Sequence, residues 1–417
     1  MEDLAARLHE LKLGTARRCM ENMRQNTADW ADAPMLLDAT VYTDPARLER
    51  ERAILFRRTP LLACLSSDLP GPGSFRTYDD TGIPILLVRD KAGTLRGFLN
   101  RCPHRGARVV RETSGNAARF SCWFHAWTFD QAGDLLAVPD REGFEPCLPG
   151  RGLTPVAVTE RHGFVFVTAE GKAPIDLDGF LGELGPHLEL LNVGSAELVK
   201  TAMVPAAANW KYCLDTFGES YHFRSLHRAS FGGTLKQYPY QVYDRLGPHH
   251  RTTWSKDYML DWSDKRESDW DVDRMITWII YLFPNTIIYT GAIENGLSFL
   301  TTYRHYPGAS PGETLMYKTI YAPSGVQSDA HRQQAEQAFD AVVKVLVEED
   351  FRVAAEAYAA MANTASGTHL ILGRQEIALQ NQQRALAAAI GMPCTPDRAS
   401  TERLPDAVAA RVTGLHA

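Results

Sequence analysis

The sequence has no surplus of basic charge. Its 44 Lys and Arg face 50 Asp and Glu, a formal charge of −6 over 417 residues, and no long block of one sign occurs. The electrostatic footprint of a nucleic-acid binder is therefore missing. No apolar run reaches the ~18 residues of a membrane helix. The strongest, from Ile276 to Tyr289, is broken by Pro284 and Asn285. The first residues, MEDLAARLHELKLG, are charged throughout, with leucines at helical spacing. They lack the basic-then-apolar layout of a secretory signal, so an amphipathic helix and a cytoplasmic protein are expected. Cysteine is sparse: seven residues, an odd number at wide spacing, which is no disulfide framework. Only Cys102 and Cys122 have histidines beside them.

What is present is a globular composition, 45% hydrophobic and 23% charged. That is enough for a sizeable core in two or three domains. Residues 1–44 form an N-terminal helical segment, with helical pattern over 1–40. Over 45–170, short runs (Ile83–Val88, Leu95–Leu99, Phe120–Phe129, Gly163–Thr168) alternate with Gly, Pro and Asp turns, which predicts a small all-β domain. The stretch 171–200 is linker-like, with one short helix. Further on, strand-like runs near 201–206, 240–254, 274–291, 296–306 and 313–322 accompany helical patterns over 209–230, 330–362 and 372–390. Residues 171–417 are thus expected to form an α+β domain, a sheet packed on a long helix.

Two constellations carry chemistry. The first is Cys102-Pro-His104 followed by Cys122-Trp-Phe-His125, each pair between strand-like runs and so expected on a hairpin tip. Two thiolates and two imidazoles suit a structural zinc ion. They equally suit a [2Fe–2S] cluster whose second iron carries neutral histidines, which raises its reduction potential. The second is the segment from Asn209-Trp-Lys to Glu219-Ser-Tyr-His222 and His227. Histidines five apart point about 140° apart on a regular helix, so convergence on one ion requires an irregular turn near Phe223–Leu226. Far downstream, Glu348-Glu349-Asp350 offers carboxylates; that one of them completes a ligand set is what the family resemblance given below implies. Asp350 falls on the apolar stripe Phe339, Val343, Leu346, Val353, Ala357. A carboxylate there is costly without a compensating partner such as a metal. Asp350 is therefore the choice and Glu349 the fallback.

The segments Cys102-Pro-His104-Arg105-Gly106 and Cys122-Trp-Phe-His125-Ala126-Trp127 resemble the cluster-binding loops of Rieske oxygenases, with Ala126 in place of the family's glycine. Gly133, Pro139 and Phe144 also fall where that pattern has them. Asn-Trp-Lys followed by Glu-x-Tyr-His resembles the iron motif of the family's alpha (terminal oxygenase) subunits. The resemblance implies an all-β Rieske domain plus a helix-grip (START-like) catalytic domain. It implies a [2Fe–2S] cluster on Cys102, His104, Cys122 and His125, and mononuclear Fe(II) on His222, His227 and Asp350. Asn209 and Glu219 are the expected catalytic residues. Glu219, three before the first iron histidine, would accept hydrogen bonds from His222 and from His125 of the partner subunit in a head-to-tail homotrimer.

The implied reaction is dioxygen activation and hydroxylation of an aromatic or other hydrophobic ring compound. The chain shows no G-x-G-x-x-G after a strand and no C-x4-C-x2-C. Electrons must therefore come from a separate NAD(P)H-dependent flavin and iron–sulfur reductase, with or without a ferredoxin. Trp278, Tyr281, Phe283, Tyr289, Phe299, Tyr303 and Tyr306 offer an aromatic lining, although most such residues are core. Aromatic rings also suit a quaternary ammonium substrate. Glu at the bridge position resembles the choline, betaine and carnitine oxygenases, which keeps a demethylase as the alternative. A Rieske electron carrier and a zinc-stabilised binding module are the rivals outside that class.

Overall fold

The computed structural model describes residues 2–171, 173–230, 240–293, 297–323, 328–363 and 369–395. The chain divides into two compact units: residues 53–181 with 192–197, and residues 1–52, 182–191 and 198 onward. The expected boundaries at 44/45 and 170/171 thus lie eight to eleven residues before the observed ones. The N-terminal segment belongs to the second unit because its helix Glu2–Gln25 packs there, on the strands Gln241–Leu246 and His249–Trp254.

The first unit is all β. A four-stranded antiparallel sheet runs Leu95–Leu99, Ile85–Arg89, Ser74–Tyr78, Ser114–Asn116. Two three-stranded sheets accompany it. One is Ala157–Arg161, Phe164–Thr168, Leu61–Leu65; the other is Arg119–Ser121, Thr128–Asp130, Leu135–Ala137. The second Cys-His pair sits at a hairpin tip, as expected, between Arg119–Ser121 and Thr128–Asp130. The first does not: its loop joins Leu95–Leu99 to Ser114–Asn116, which are opposite edges of the four-stranded sheet. The loop is pinned by buried Asn100, whose side chain donates to Val110 O (2.7 Å) and accepts from Val109 N and Val110 N. Sequence alternation marks the strands but not which of them are neighbours.

The second unit is a seven-stranded antiparallel sheet. Its order is Glu197–Ala206, Thr314–Ala322, Leu297–Pro307, Thr286–Ile293, Trp278–Leu282, His249–Trp254, Gln241–Leu246. The helix Asp329–Val345 packs on it, Ala335 and Phe339 meeting Phe299 and Ile320. A π-helical turn, Leu346–Asp350, leads into a further helix, Phe351–Ala362. Three helical expectations are corrected. Within 1–40, Met35–Asp38 is a strand paired with His369–Leu372. The helix expected over 209–230 covers only Trp210–Asp215, with turns following over 221–230. The last helix begins at Ile377, after a 3-10 turn. No helix among the described residues is long and apolar enough to cross a membrane.

Candidate metal centres and substrate cavity

The two Cys-His loops share one backbone plan. In the first, Cys102 N donates to Ala107 O (2.8 Å) and Gly106 N to Cys102 O (3.0 Å). In the second, Cys122 N donates to Trp127 O (2.8 Å) and Ala126 N to Cys122 O (2.8 Å). Each turn closes through a left-handed residue, Gly106 at φ +79 and Ala126 at φ +57. Ala126 therefore holds the glycine conformation without being glycine, with its Cβ crowded against the following peptide. Gly133, also left-handed, stands where a Cβ would lie 2.4 Å from the Phe98 ring. Pro139 is exposed in a turn.

The four side chains converge. Cys102 and Cys122 are buried and within hydrogen-bonding reach of one another. The His104 and His125 rings meet edge to face at 4.5 Å. Trp127 stacks flat on His104 (4.9 Å), and Phe144 meets both rings edge-on. Burial, then the neighbouring Cys122, raises the Cys102 pKa, although the N–H groups of His104 and Arg105 point at its sulfur. Burial, then His125, depresses that of His104. His104 Nδ1 is buried without a hydrogen-bond partner. An orphan imidazole lone pair is costly to bury, and two thiols pressed together out of water resist ionising. A positively charged iron–sulfur core relieves both, so the donor set fits a [2Fe–2S] cluster.

The mononuclear site is built by two irregularities. After the Trp210–Asp215 helix the chain turns so that Ser225 N and Leu226 N both donate to His222 O (3.0 and 2.8 Å). This turn at the expected place brings His222 Nε2 within 3.2 Å of His227 Nε2. The π turn aims Asp350 at the same point, its Oδ1 lying 3.5 and 3.4 Å from the two Nε2 atoms. Cis ligands held about 2.1 Å from a metal lie roughly 3 Å apart, so these spacings fit one face of an octahedron. Among the described residues, this triad is the one group of three or more such side chains that could hold an ion.

Both histidines are oriented from behind. His222 Nδ1 hydrogen-bonds Glu219, which also accepts from the N–H groups of Tyr221 and His222. His227 Nδ1 lies 2.7 Å from Glu349 Oε2, which Ser230 Oγ also reaches (3.0 Å). The fallback ligand is thus the carboxylate that fixes the other histidine. Such carboxylate–histidine pairs set the tautomer that leaves Nε2 for a metal. Burial lowers the His222 pKa, but hydrogen bonds donated to Asp350 and Glu219 outweigh it and raise it to about 9. Burial raises that of Asp350, and the two histidines overcome it, leaving it depressed.

Asn209 is not at the site. It caps the Trp210–Asp215 helix, accepting from Lys211 N and donating to Tyr42 O and Pro311 O. The Asn-Trp-Lys motif is structural throughout. Trp210 Nε1 and Lys211 Nζ both donate to buried Glu51 (2.8 Å each), which Arg47 approaches at 3.4 Å.

A cavity of about 360 Å³ opens on the triad. Period-two faces of the sheet supply Ile279, Ile287, Tyr289, Phe299, Thr301, Tyr303, Lys318 and Ile320, and the helix supplies Phe339, Val342 and Leu346. Of the seven aromatic residues expected to line it, Tyr289, Phe299 and Tyr303 do. Trp278 and Tyr306 lie on strand positions of the opposite parity, and Tyr281 donates to Pro284 O (2.8 Å). Phe283 lies beyond the strand end. Sequence reasoning missed Lys256 and Lys318, which line the cavity, and Phe217, Phe223 and Trp254 beside the iron turn. Alternation with Tyr303↔Lys318 register could have flagged Lys318; no local signal marks the others.

Residues 59–150 match the Rieske [2Fe-2S] domain family, and residues 191–391 match the ring hydroxylating alpha subunit (catalytic domain) family. Biphenyl 2,3-dioxygenase subunit alpha of Rhodococcus jostii is 31% identical over 259 residues, 57% of this chain and 56% of that one. The glycine betaine monooxygenase oxygenase subunit of Chromohalobacter salexigens is 27% identical over 301 residues, 72% and 64% of the two chains. The aligned region spans little more than half to two thirds of these relatives. Two solved structures share the fold. The quaternary ammonium Rieske monooxygenase CntA has a TM-score of 0.72 at 20% identity, covering 86% of this chain and 96% of that one. Naphthalene 1,2-dioxygenase from Rhodococcus sp. bound to indole has 0.67 at 18%, covering 91% and 98%. With a Rieske cluster domain followed by the non-heme iron catalytic domain, the chain belongs to the Rieske oxygenase alpha-subunit family.

Proposed function

We propose that the protein is a cytoplasmic terminal oxygenase that hydroxylates an aromatic or other hydrophobic ring compound. The overall change would be substrate C–H plus dioxygen, two electrons and two protons giving C–OH and water. A Rieske cluster on Cys102, His104, Cys122 and His125 would store one electron, and ferrous iron on His222, His227 and Asp350 would bind and reduce dioxygen. The observation that carries this reading is the convergence of His222 Nε2, His227 Nε2 and Asp350 Oδ1 at the wall of an apolar cavity.

The chain's own residues hold the geometry. Glu219 and Glu349 keep protons on the two Nδ1 atoms, so that each Nε2 presents a lone pair. Phe217, Phe223 and Leu346 give the cavity an apolar wall beside the triad. Glu219 is read as a positioning residue that also accepts a hydrogen bond from His125 of the partner subunit, which requires a head-to-tail assembly, a homotrimer in this reading. Electrons come from a separate NAD(P)H-dependent flavin and iron–sulfur reductase, directly or through a ferredoxin.

The quaternary ammonium alternative draws on the aromatic walls and on the glycine betaine and carnitine relatives. Against a bare cation stand the two lysines of the cavity and, among the described residues, the lack of any carboxylate in its wall except Asp350. The test is oxygen uptake by the purified protein with NADH and a flavin iron–sulfur reductase. Substrate-dependent uptake, lost in Asp350→Asn, is expected. Reduction of the cluster with no uptake for any ring compound or betaine would leave a mere electron carrier.

A further inference from the structure

Among the described residues, the cavity wall carries two lysines and one carboxylate, Asp350. Lys256 Nζ donates to Thr277 Oγ1 at 2.8 Å, and no carboxylate lies within ion-pair distance of it among the described residues. It also lies 5.7 Å from the centroid of the Tyr258 ring, so among the described residues a hydroxyl and a ring face, but no anion, meet it. Two residues earlier on the same face, Trp254 also lines the cavity, and its Nε1 is buried without an acceptor. An ammonium in a largely apolar wall with no anion beside it is costly unless something bearing acceptor oxygens arrives.

Lys318, the other cavity lysine, is held against the helix. Its Nζ donates to Phe339 O (2.9 Å) and sits 4.2 Å from the centroid of the Phe339 ring. Phe339 lies eleven residues before Asp350 on the helix, roughly 16 Å along the axis from the triad. Lys256 is nearer. The His227 ring meets Phe223 at 4.9 Å, and Phe223 meets Trp254 at 5.2 Å. A ring packed against Phe223 can therefore face the triad while its substituent reaches Lys256.

We infer that the substrate is an organic acid anion, a carboxylate or sulfonate on an apolar skeleton, and that Lys256 is its counter-charge. Burial alone pulls the Lys256 pKa down to about 8, so the ammonium form still predominates at neutral pH; Lys318 is pulled to about 7, also chiefly by burial. The inference rests on the cavity being the oxygenase's substrate site, but it is read by binding rather than by turnover.

The test is calorimetric binding to the oxidised holoenzyme, without reductant, of three acids and three partners lacking the acid group. These are benzoate and benzamide, cyclohexanecarboxylate and its amide, and glycine betaine and choline. At least one acid should bind about tenfold or more tighter than its partner. That preference should shrink to within about threefold in Lys256→Met, return in Lys256→Arg, and survive Lys318→Met. The ring pairs and the betaine pair distinguish which skeleton carries the acid. If no acid outbinds its partner, or none binds at millimolar concentration, the inference is wrong. It is equally wrong if the preference persists in a Lys256→Met protein that keeps its cluster absorbance. Failure of the oxygenase reading would show differently, as acid binding without acid-dependent oxygen uptake.

Discussion

Ala126 occupies a left-handed backbone position that its counterpart in the sister loop fills with Gly106. An L-residue there carries a Cβ penalty that glycine avoids, partly offset by glycine's greater freedom in the unfolded chain. Ala126→Gly should therefore stabilise the cluster unit by about 0.5–1 kcal/mol, seen as a raised melting temperature with an unchanged cluster spectrum. Asp350 and Glu349 are neighbours with different duties. Asp350→Asn should lose the mononuclear iron and keep the cluster. Glu349→Gln should keep that iron but bind it roughly 10- to 100-fold more weakly, which metal titration of the stripped site would measure. Asp215 is buried against Tyr42, Gln382 and Gln383. Burial raises its pKa from 3.8 to about 7, over the opposing pull of the Tyr42 hydroxyl and Lys211. A raised carboxyl pKa favours folding below the unfolded value and loses that contribution as pH climbs through the folded one. The loss should fall between about pH 4 and pH 7 and amount to at most ~4 kcal/mol. Asp215→Asn should flatten the stability profile in that window, as denaturant midpoints would show.

At the scale of elements, two departures from regular helix make the iron site. The turn after the Trp210–Asp215 helix was legible in the sequence, because histidines five apart cannot converge on a regular helix. The π turn was not. Its extra residue shifts the inward face, so that beyond Asp350 the buried positions are Phe351 and Ala354 while Val353 is 39% exposed. Periodicity still identified Asp350, because the stripe holds as far as that residue. The Asn-Trp-Lys motif was legible as a motif but not as structure, since its partner Glu51 lies some 160 residues earlier. Removing that partner strands a buried lysine. Glu51→Ala should cost about 3–5 kcal/mol, lower the melting temperature of the catalytic unit, and disturb iron retention through the turn that follows. The cluster loops were legible because each ligand pair is local. The crossing of the first from one sheet edge to the other was not, because strand order depends on distant pairing.

Over the whole molecule, the sequence points to side chains that come together within each unit: Cys102 with Cys122 and His104 with His125 in one, His222, His227 and Asp350 in the other. It did not reveal the cavity's charge, because lysines on separate strands become neighbours of one space only after the sheet forms. Glu219 is where the two metal centres would communicate between subunits. Glu219→Gln should keep both metals, since its bond to His222 can be replaced by an amide oxygen, yet lower substrate turnover severely. Single-turnover electron transfer, not iron content, should report the loss. The most direct test of the account is metal and acid-labile sulfide analysis of anaerobically purified protein. About three irons and two sulfides per chain, falling to two irons and two sulfides in Asp350→Asn, are predicted. One zinc per chain without sulfide, or a third iron that survives Asp350→Asn, would contradict it.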